Sequence, residues 1–310
     1  MPPEPTLPFA DGRGAIGDLA DPVLADPSPP LLTAVIEAYR EAAPAVVEPD
    51  LSTLRGLTST EGAPGPSPDS PVSELPTLTV LATDRAIDAV VDEFRRASRL
   101  AALAEAGVLD LRTLSEPQPN PALVGRETGH VLVAVGGRED GDATATWCRV
   151  GDDPALRERY VPLVEAAEGR RPRAPSRRRV YESVRERCGV AVADDVVRAF
   201  DAGVVEGPGG DAVGGDPLDL AGARRRAYVA GARRGALDRD LRRAFEDAGL
   251  GSSATFTRVK RKLRESGLLG TESVPQPVGR PRERLVARGA LAEADGPGEA
   301  VAAAATAVER

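Results

Sequence analysis

Residues 252–265 read SSATFTRVKRKLRE, a run in which hydroxyls and cations recur at helical spacing. On a wheel advancing about 100° per residue, Phe256, Val259 and Leu263 fall on one apolar stripe. Ala254, Thr257, Arg258, Arg261 and Glu265 lie opposite, with Lys262 to one side. Guanidinium groups match the paired acceptors of a guanine edge and the oxygens of a phosphate, and a threonine hydroxyl can bond to either. The pattern predicts double-stranded DNA as the ligand, with Thr257, Arg258 and Arg261 nearest the base edges. Ser253, Thr255, Lys260 and Lys262 are expected on phosphates, Lys260 being closest to the buried flank. Taken alone, the run fits equally well a basic amphipathic helix on an ordinary protein surface.

The flanking sequence supplies what would position such a helix. A first helix is expected from Leu218 to Arg234, with Ala221, Ala227, Tyr228 and Ala232 inward and Arg224, Arg225 and Arg226 outward. Asp238 is a good N-cap for a second, DLRRAFEDAG, which Gly249 should end. After the turn GLGSS, Ser252 or Ser253 can cap the third helix. LLGTESV and ERLVAR (283–288) then read as two strands, Leu285 facing in, joined by PQPVGRPRE. Pro275, Pro277 and Pro281 stiffen that tip and Gly279 permits the turn. Arg280, offered from extended backbone, suits a narrow A·T minor groove, phosphate contact by Arg280 and Arg282 being the less specific alternative. Residues 218–290 are thus expected to form a winged helix-turn-helix of α+β type, followed by a C-terminal helix or tail over 291–310.

Charge agrees. Residues 219–290 hold 17 Arg and Lys against 8 Asp and Glu, whereas the other residues hold 23 against 40, inside a chain of net charge −8. A basic domain in an acidic protein is the electrostatic footprint of a polyanion binder. The acidic remainder, with Lys260 and Lys262 as the only lysines, suits a salt-adapted proteome.

Other chemistries lack their residues. His130 is the single histidine, so no two-histidine metal site can form, and no G-x-S-x-G or G-x-x-x-x-G-K-[ST] occurs. GREDGD (137–142) has too few alternating oxygen ligands for a calcium loop and no distal Glu. Catalytic, cofactor-binding and metal-ligating residues are therefore expected to be absent, and the protein is not expected to be an enzyme. Cys148 and Cys188 lack CxxC spacing and read as free thiols. No apolar run is long enough to span a membrane, and the N-terminus lacks the pattern of a secretory signal, so a cytoplasmic location is expected.

Residues 1–30, rich in Pro, Asp and Gly, are expected to be poorly ordered. Residues 31–168 read as an α/β domain for sensing or dimerisation. A helix begins at Pro30, AVVE (45–48) suggests a brief strand, and 58–76 a proline-rich loop. LTVLA (78–82) is a buried strand, followed by one helix from Arg85 to about Ala106 capped by Asp84. Strands are expected at 108–114, 130–136 and 144–150, and a helix from about Pro154 to Glu168. Residues 169–217 are expected to be a basic linker, two helices and a glycine-rich loop, GPGGDAVGGDP (207–217).

Two stretches carry a family resemblance. SSATFTRVKRKLRESGLLGTESVPQPVGRPRERL (252–285) resembles the C-terminal winged helix of the haloarchaeal TbsP transcriptional regulators. LTVLATDRAIDAVVDEFRRASRLAALAEAGVLDLRTL (78–114) resembles the core of that family's N-terminal domain. The proline-rich first 75 residues and the glycine-rich loop depart from it. The resemblance implies a DNA-binding transcriptional regulator linked to carbohydrate and central metabolism. Winged-helix regulators usually act as dimers on paired half-sites, so a homodimer is expected, with a small-molecule metabolite as effector. The rival readings are a winged helix that docks acidic proteins and a chromatin-type binder without sequence preference.

Overall fold

The computed structural model describes residues 4–9, 12–59, 75–135, 144–151, 155–203, 218–277 and 280–308. The chain divides into two compact units: Met1–Pro49, Glu61–Asp92 and Arg96–Arg173 in the first, and Asp50–Thr60, Glu93–Arg95 and Ala174–Arg310 in the second. Most of the expected loop at 58–76, the whole GREDGD turn and the glycine-rich loop at 207–217 lie outside the described residues.

The first unit contains β1 (Thr6–Phe9), β2 (Gly12–Ala15), β3 (Val23–Ala25), α1 (Pro29–Ala42) and α2 (Pro44–Val47). After α3 (Leu51–Ser59), which belongs to the second unit, come β4 (Leu78–Ala82), α4 (Asp84–Val91), α5 (Phe94–Glu105), β5 (Leu109–Thr113), β6 (Ala122–Val124), β7 (Gly129–Val135), β8 (Thr144–Gly151) and α6 (Ala155–Ala166). The strands form one mixed sheet in the order β2-β1-β8-β7-β6-β3-β4-β5, with β3, β4 and β5 parallel. Alternation along the strands builds two cores. Leu24, Val80, Leu111 and Leu123 join Leu32, Val35 and Ile36 of α1, Ile87 and Val90 of α4, and Leu100 and Leu103 of α5. Val23, Ala25, Leu81 and Val124 face the other way, toward Tyr160, Leu156 and Leu163 of α6. A sheet with helices on both faces is the α/β architecture expected from the strand and helix order.

Three expectations for this unit need correction. Within the stretch expected to be poorly ordered, Val23–Ala25 form β3, which pairs with β4 on one side and β6 on the other, and Leu24 is fully buried. A three-residue strand is too short to show periodicity, and the prolines and aspartates around it hide it. In place of the brief strand, AVV is helical and Glu48 follows as the cap, because Pro44 can start a helical turn where its missing N–H costs nothing. The helix expected from Arg85 to Ala106 is two helices, and Thr83 rather than Asp84 caps the first through the Ala86 amide. In an unbroken helix the Phe94 amide would bond the Val90 carbonyl; Phe94 instead belongs to the second unit, where its amide donates to Leu218 O at 2.6 Å and its ring meets Phe200 with centroids 4.9 Å apart.

The second unit contains α3, α7 (Arg177–Cys188), α8 (Val190–Asp201), α9 (Leu220–Arg233), α10 (Asp238–Ala248), α11 (Ser253–Glu265), β9 (Leu269–Val274), β10 (Arg282–Ala287), α12 (Ala290–Glu293) and α13 (Pro297–Val308). α7 and α8 are core elements: Val180, Tyr181, Val184, Val196 and Val197 are fully buried. The arginines expected along a solvated linker are partly engaged as well. Arg177 grips both oxygens of Asp201, and in the first unit Arg170 pairs with Asp84 and Asp88. Buried Asp195 of α8 receives Arg233 and Arg234 from the end of α9. Burial alone would push its carboxyl up, but the hydrogen bond from Arg234 and the surrounding guanidinium charges hold it below the usual carboxylate range. Cys148 and Cys188 are free, and burial pushes the Cys188 thiol up to about 12, so it stays protonated.

If β3 is a central strand, Leu24→Ala should destabilise the protein by about 2–5 kcal/mol through the cavity it leaves. Denaturant unfolding measures this, and a loss below about 1 kcal/mol would show that 23–25 is peripheral.

Candidate nucleic-acid interface

The three helices of the basic region meet over aromatic rings. Phe256 of α11 lies with its ring centroid 4.8 Å from that of Phe245 on α10 and 6.1 Å from that of Tyr228 on α9. α9 and α10 can approach closely because position 231 is glycine: a Cβ there would stand 2.5 Å from Leu241 Cδ2. Gly249 ends α10 in the left-handed conformation at φ 83°, with Leu250 N bonding Phe245 O at 2.9 Å. The chain then turns, and Ser252 caps α11 by accepting the Thr255 amide. These are the boundaries the sequence predicts, with Ser252 in the capping role.

Asp238 does not cap α10; Leu237 holds that position and makes no side-chain cap. The Asp238 side chain instead turns inward, is 4% exposed, and collects three donors. Tyr228 of α9 gives its hydroxyl to Oδ1 at 2.5 Å. Arg242 of α10 and Lys260 of α11 reach Oδ2 at 3.1 Å and 2.9 Å. Burial, with the Asp238 charge beside it, pushes the Tyr228 phenol far up, so it stays protonated and keeps the hydrogen it donates. Lys260 also meets Glu283 of β10 at 2.5 Å. Lys260, expected on a phosphate, therefore fastens α11 to α10 and the wing.

The wing is a two-stranded antiparallel hairpin in register from Leu269↔Ala287 to Val274↔Arg282, with Leu285 fully buried beneath it. Leu237 bridges Arg284, so the turn before α10 adds a one-residue third strand. Val278 and Gly279, which with Arg280 form the expected tip, lie outside the described residues. Arg280 itself is exposed. Arg282 is half-buried and tied to Asp240 of α10 at 3.1 Å.

α11 buries Phe256 and Leu263, half-buries Val259, and exposes Thr257, Arg258, Arg261 and Lys262. Ser253 and Thr257 are neighbours: Thr257 donates to Ser253 O at 2.9 Å, and Arg242 donates to Ser253 Oγ at 3.1 Å and Thr257 Oγ1 at 3.3 Å. Thr255, Arg258 and Lys262 turn toward α9 and, with Arg225, line a groove of about 300 Å³. Arg224 and Arg226, expected to point outward, are half-buried and donate to the Leu250 and Ala202 carbonyls. Sequence reading missed the two residues that organise the site, Asp238 and Arg242. The acid–cation spacing Asp238–Arg242, one helical turn apart, was the available signal.

Removing one partner of a buried ion pair strands the other, so Asp238→Ala should cost about 3–5 kcal/mol. Tyr228→Phe removes only a hydrogen bond to that carboxylate and should cost about 1.5–3 kcal/mol. Urea unfolding of both variants checks the order of the two losses.

The chain matches two family descriptions: the N-terminal domain of TbsP-like transcriptional regulators over residues 20–150, and their C-terminal helix-turn-helix domain over residues 176–305. No curated protein and no solved structure matches it. The second description begins at the cap of α7 and runs into α13, so it takes in the helices that brace the winged helix as well as the winged helix itself. With both domains present in order, the chain belongs to the TbsP-like transcriptional regulators.

Proposed function

We propose that the protein is a sequence-specific double-stranded DNA binder that reads its site with α11 in the major groove. The observation that carries this reading is a contrast among cations. Arg177, Arg233 and Arg234 are held by carboxylates within the second unit. Arg258 and Lys262 have no carboxylate partner among the described residues, and Arg261 meets only exposed Glu265 at 3.9 Å. Cations left unpaired on an exposed helix face are available to phosphates and base edges. Thr257, Arg258 and Arg261 are nearest base edges, Ser253, Thr255 and Lys262 contact phosphates, and Arg280 serves the minor groove beside the wing. Arg282 supports the wing through Asp240 and adds charge to the same surface.

The first unit is read as a sensor or assembly domain, answering to a small-molecule metabolite and pairing the chain as a homodimer on two half-sites. A role at carbohydrate and central-metabolism genes, in a haloarchaeal cytoplasm, follows from the family resemblance. No catalytic chemistry is assigned to either unit. A winged helix that docks an acidic protein is the second reading, favoured by the same unpaired cations.

Binding should weaken steeply with salt while one sequence stays preferred. Arg258→Ala with Arg261→Ala should lose about 1–3 kcal/mol per bidentate base contact and relax that preference. Fluorescence anisotropy on varied duplexes measures both, and absence of preference at every salt would favour the docking or chromatin-type readings.

A further inference from the structure

Arg225 has no role in anything described so far. Its neighbours Arg224 and Arg226 spend their guanidinium groups on backbone carbonyls, both at 2.6 Å. Arg225 is half-buried, makes no such bond among the described residues, and lines the groove between α9 and α11. Arg258 and Lys262 line the same groove from α11. Four cations line this groove of about 300 Å³, Arg224 among them with its Nε on the Leu250 carbonyl, against one carboxylate, Asp219, so the lining carries a net positive charge that an anion would offset. The one acidic side chain on the lining, Asp219, has Oδ1 occupied by the Gly222 amide at 2.6 Å, as the cap of α9.

The groove lies on a definite arc of α11. Thr255, Arg258, Val259 and Lys262 face it, whereas Thr257 and Arg261 occupy the neighbouring arc by helical spacing. A helix that presents one arc to base edges brings the adjoining arc against the sugar–phosphate strand that borders the major groove. We infer that the α9–α11 groove seats a phosphate of the DNA backbone, held between Arg225 and Lys262 with Arg258 at the shared rim. This rests on α11 being the DNA-reading helix. It gives α9 a direct share in binding and fixes how far α11 can slide along the duplex, because phosphate contacts set register without reading sequence.

The test uses the full chain and a set of duplexes of varied sequence. Parent, Arg225→Gln, Lys262→Gln and Arg261→Gln are titrated across a potassium chloride series, and again with inorganic phosphate replacing chloride at matched ionic strength. Arg225→Gln and Lys262→Gln should each flatten the slope of log affinity against log salt by about 1, and weaken binding equally on every sequence. Arg261→Gln should alter the ranking of sequences. A parental slope and affinity for Arg225→Gln would overturn the groove assignment while leaving DNA reading by α11 intact. A parent that binds no duplex would remove both. If inorganic phosphate weakens the parent but not Arg225→Gln, and Arg225→Gln keeps the parental slope and affinity in chloride, the groove takes free phosphate and the backbone assignment falls. Should Arg225→Gln unfold, which circular dichroism would show, the exposed Lys262→Gln carries the same comparison.

Discussion

The winged helix depends on one buried carboxylate. Asp238 sits where four elements converge, and its two oxygens are claimed by Tyr228 from α9, Arg242 from α10 and Lys260 from α11, with Lys260 passing on to Glu283 of β10. Burying a charge is unfavourable unless it is paired and hydrogen-bonded, and here it is both. The apolar contacts around Phe256 draw the helices together without specifying direction. Asp238 supplies the direction, because only one rotation of α11 brings Lys260 onto it. That rotation turns Arg258, Arg261 and Lys262 out to solvent. The exposed cationic face is thus set from the opposite side of its own helix.

Arg242 extends the same logic to the N-terminal turn of α11. Its guanidinium spans Asp238, Ser253 and Thr257, so the hydroxyls nearest the helix start are fixed before any ligand arrives. Groups held in place in the free protein lose less freedom on binding, which favours affinity for a given set of contacts. The braces α7, α8 and α13 act at longer range. Asp195 on α8 grips Arg233 and Arg234 at the end of α9, the helix against which α10 and α11 are built.

Much of this was legible in the sequence where a local rule decides the outcome. The helix boundaries at Gly249 and Ser252, the buried stripe of Phe256 and Leu263, and the strands around Leu285 follow from period, capping and turn chemistry that need no tertiary knowledge. β4, β5, β7 and β8 were readable for the same reason. What escaped was set by distant partners. Asp238 has the look of an N-cap, and only Lys260, Tyr228 and Arg242 reveal it as a hub. β3 is three residues long and owes its existence to ladders on both sides. The arginines of 169–179 look solvated until Asp84, Asp88 and Asp201 are found opposite them. In a chain so rich in both charges, composition says that ion pairs will form and leaves their partners to the fold.

The bridge through Lys260 has two unlike halves. Its inner contact, to Asp238, is shielded by protein, while its outer contact ends on Glu283, 56% exposed. Dissolved ions screen exposed charges strongly and buried ones weakly. Rising salt therefore acts on the two halves in sequence, loosening the hold of the hairpin on α11 while the helices keep their mutual orientation. The winged helix is thus a three-helix body carrying a hairpin whose hold on α11 is tuned by the ionic medium around it.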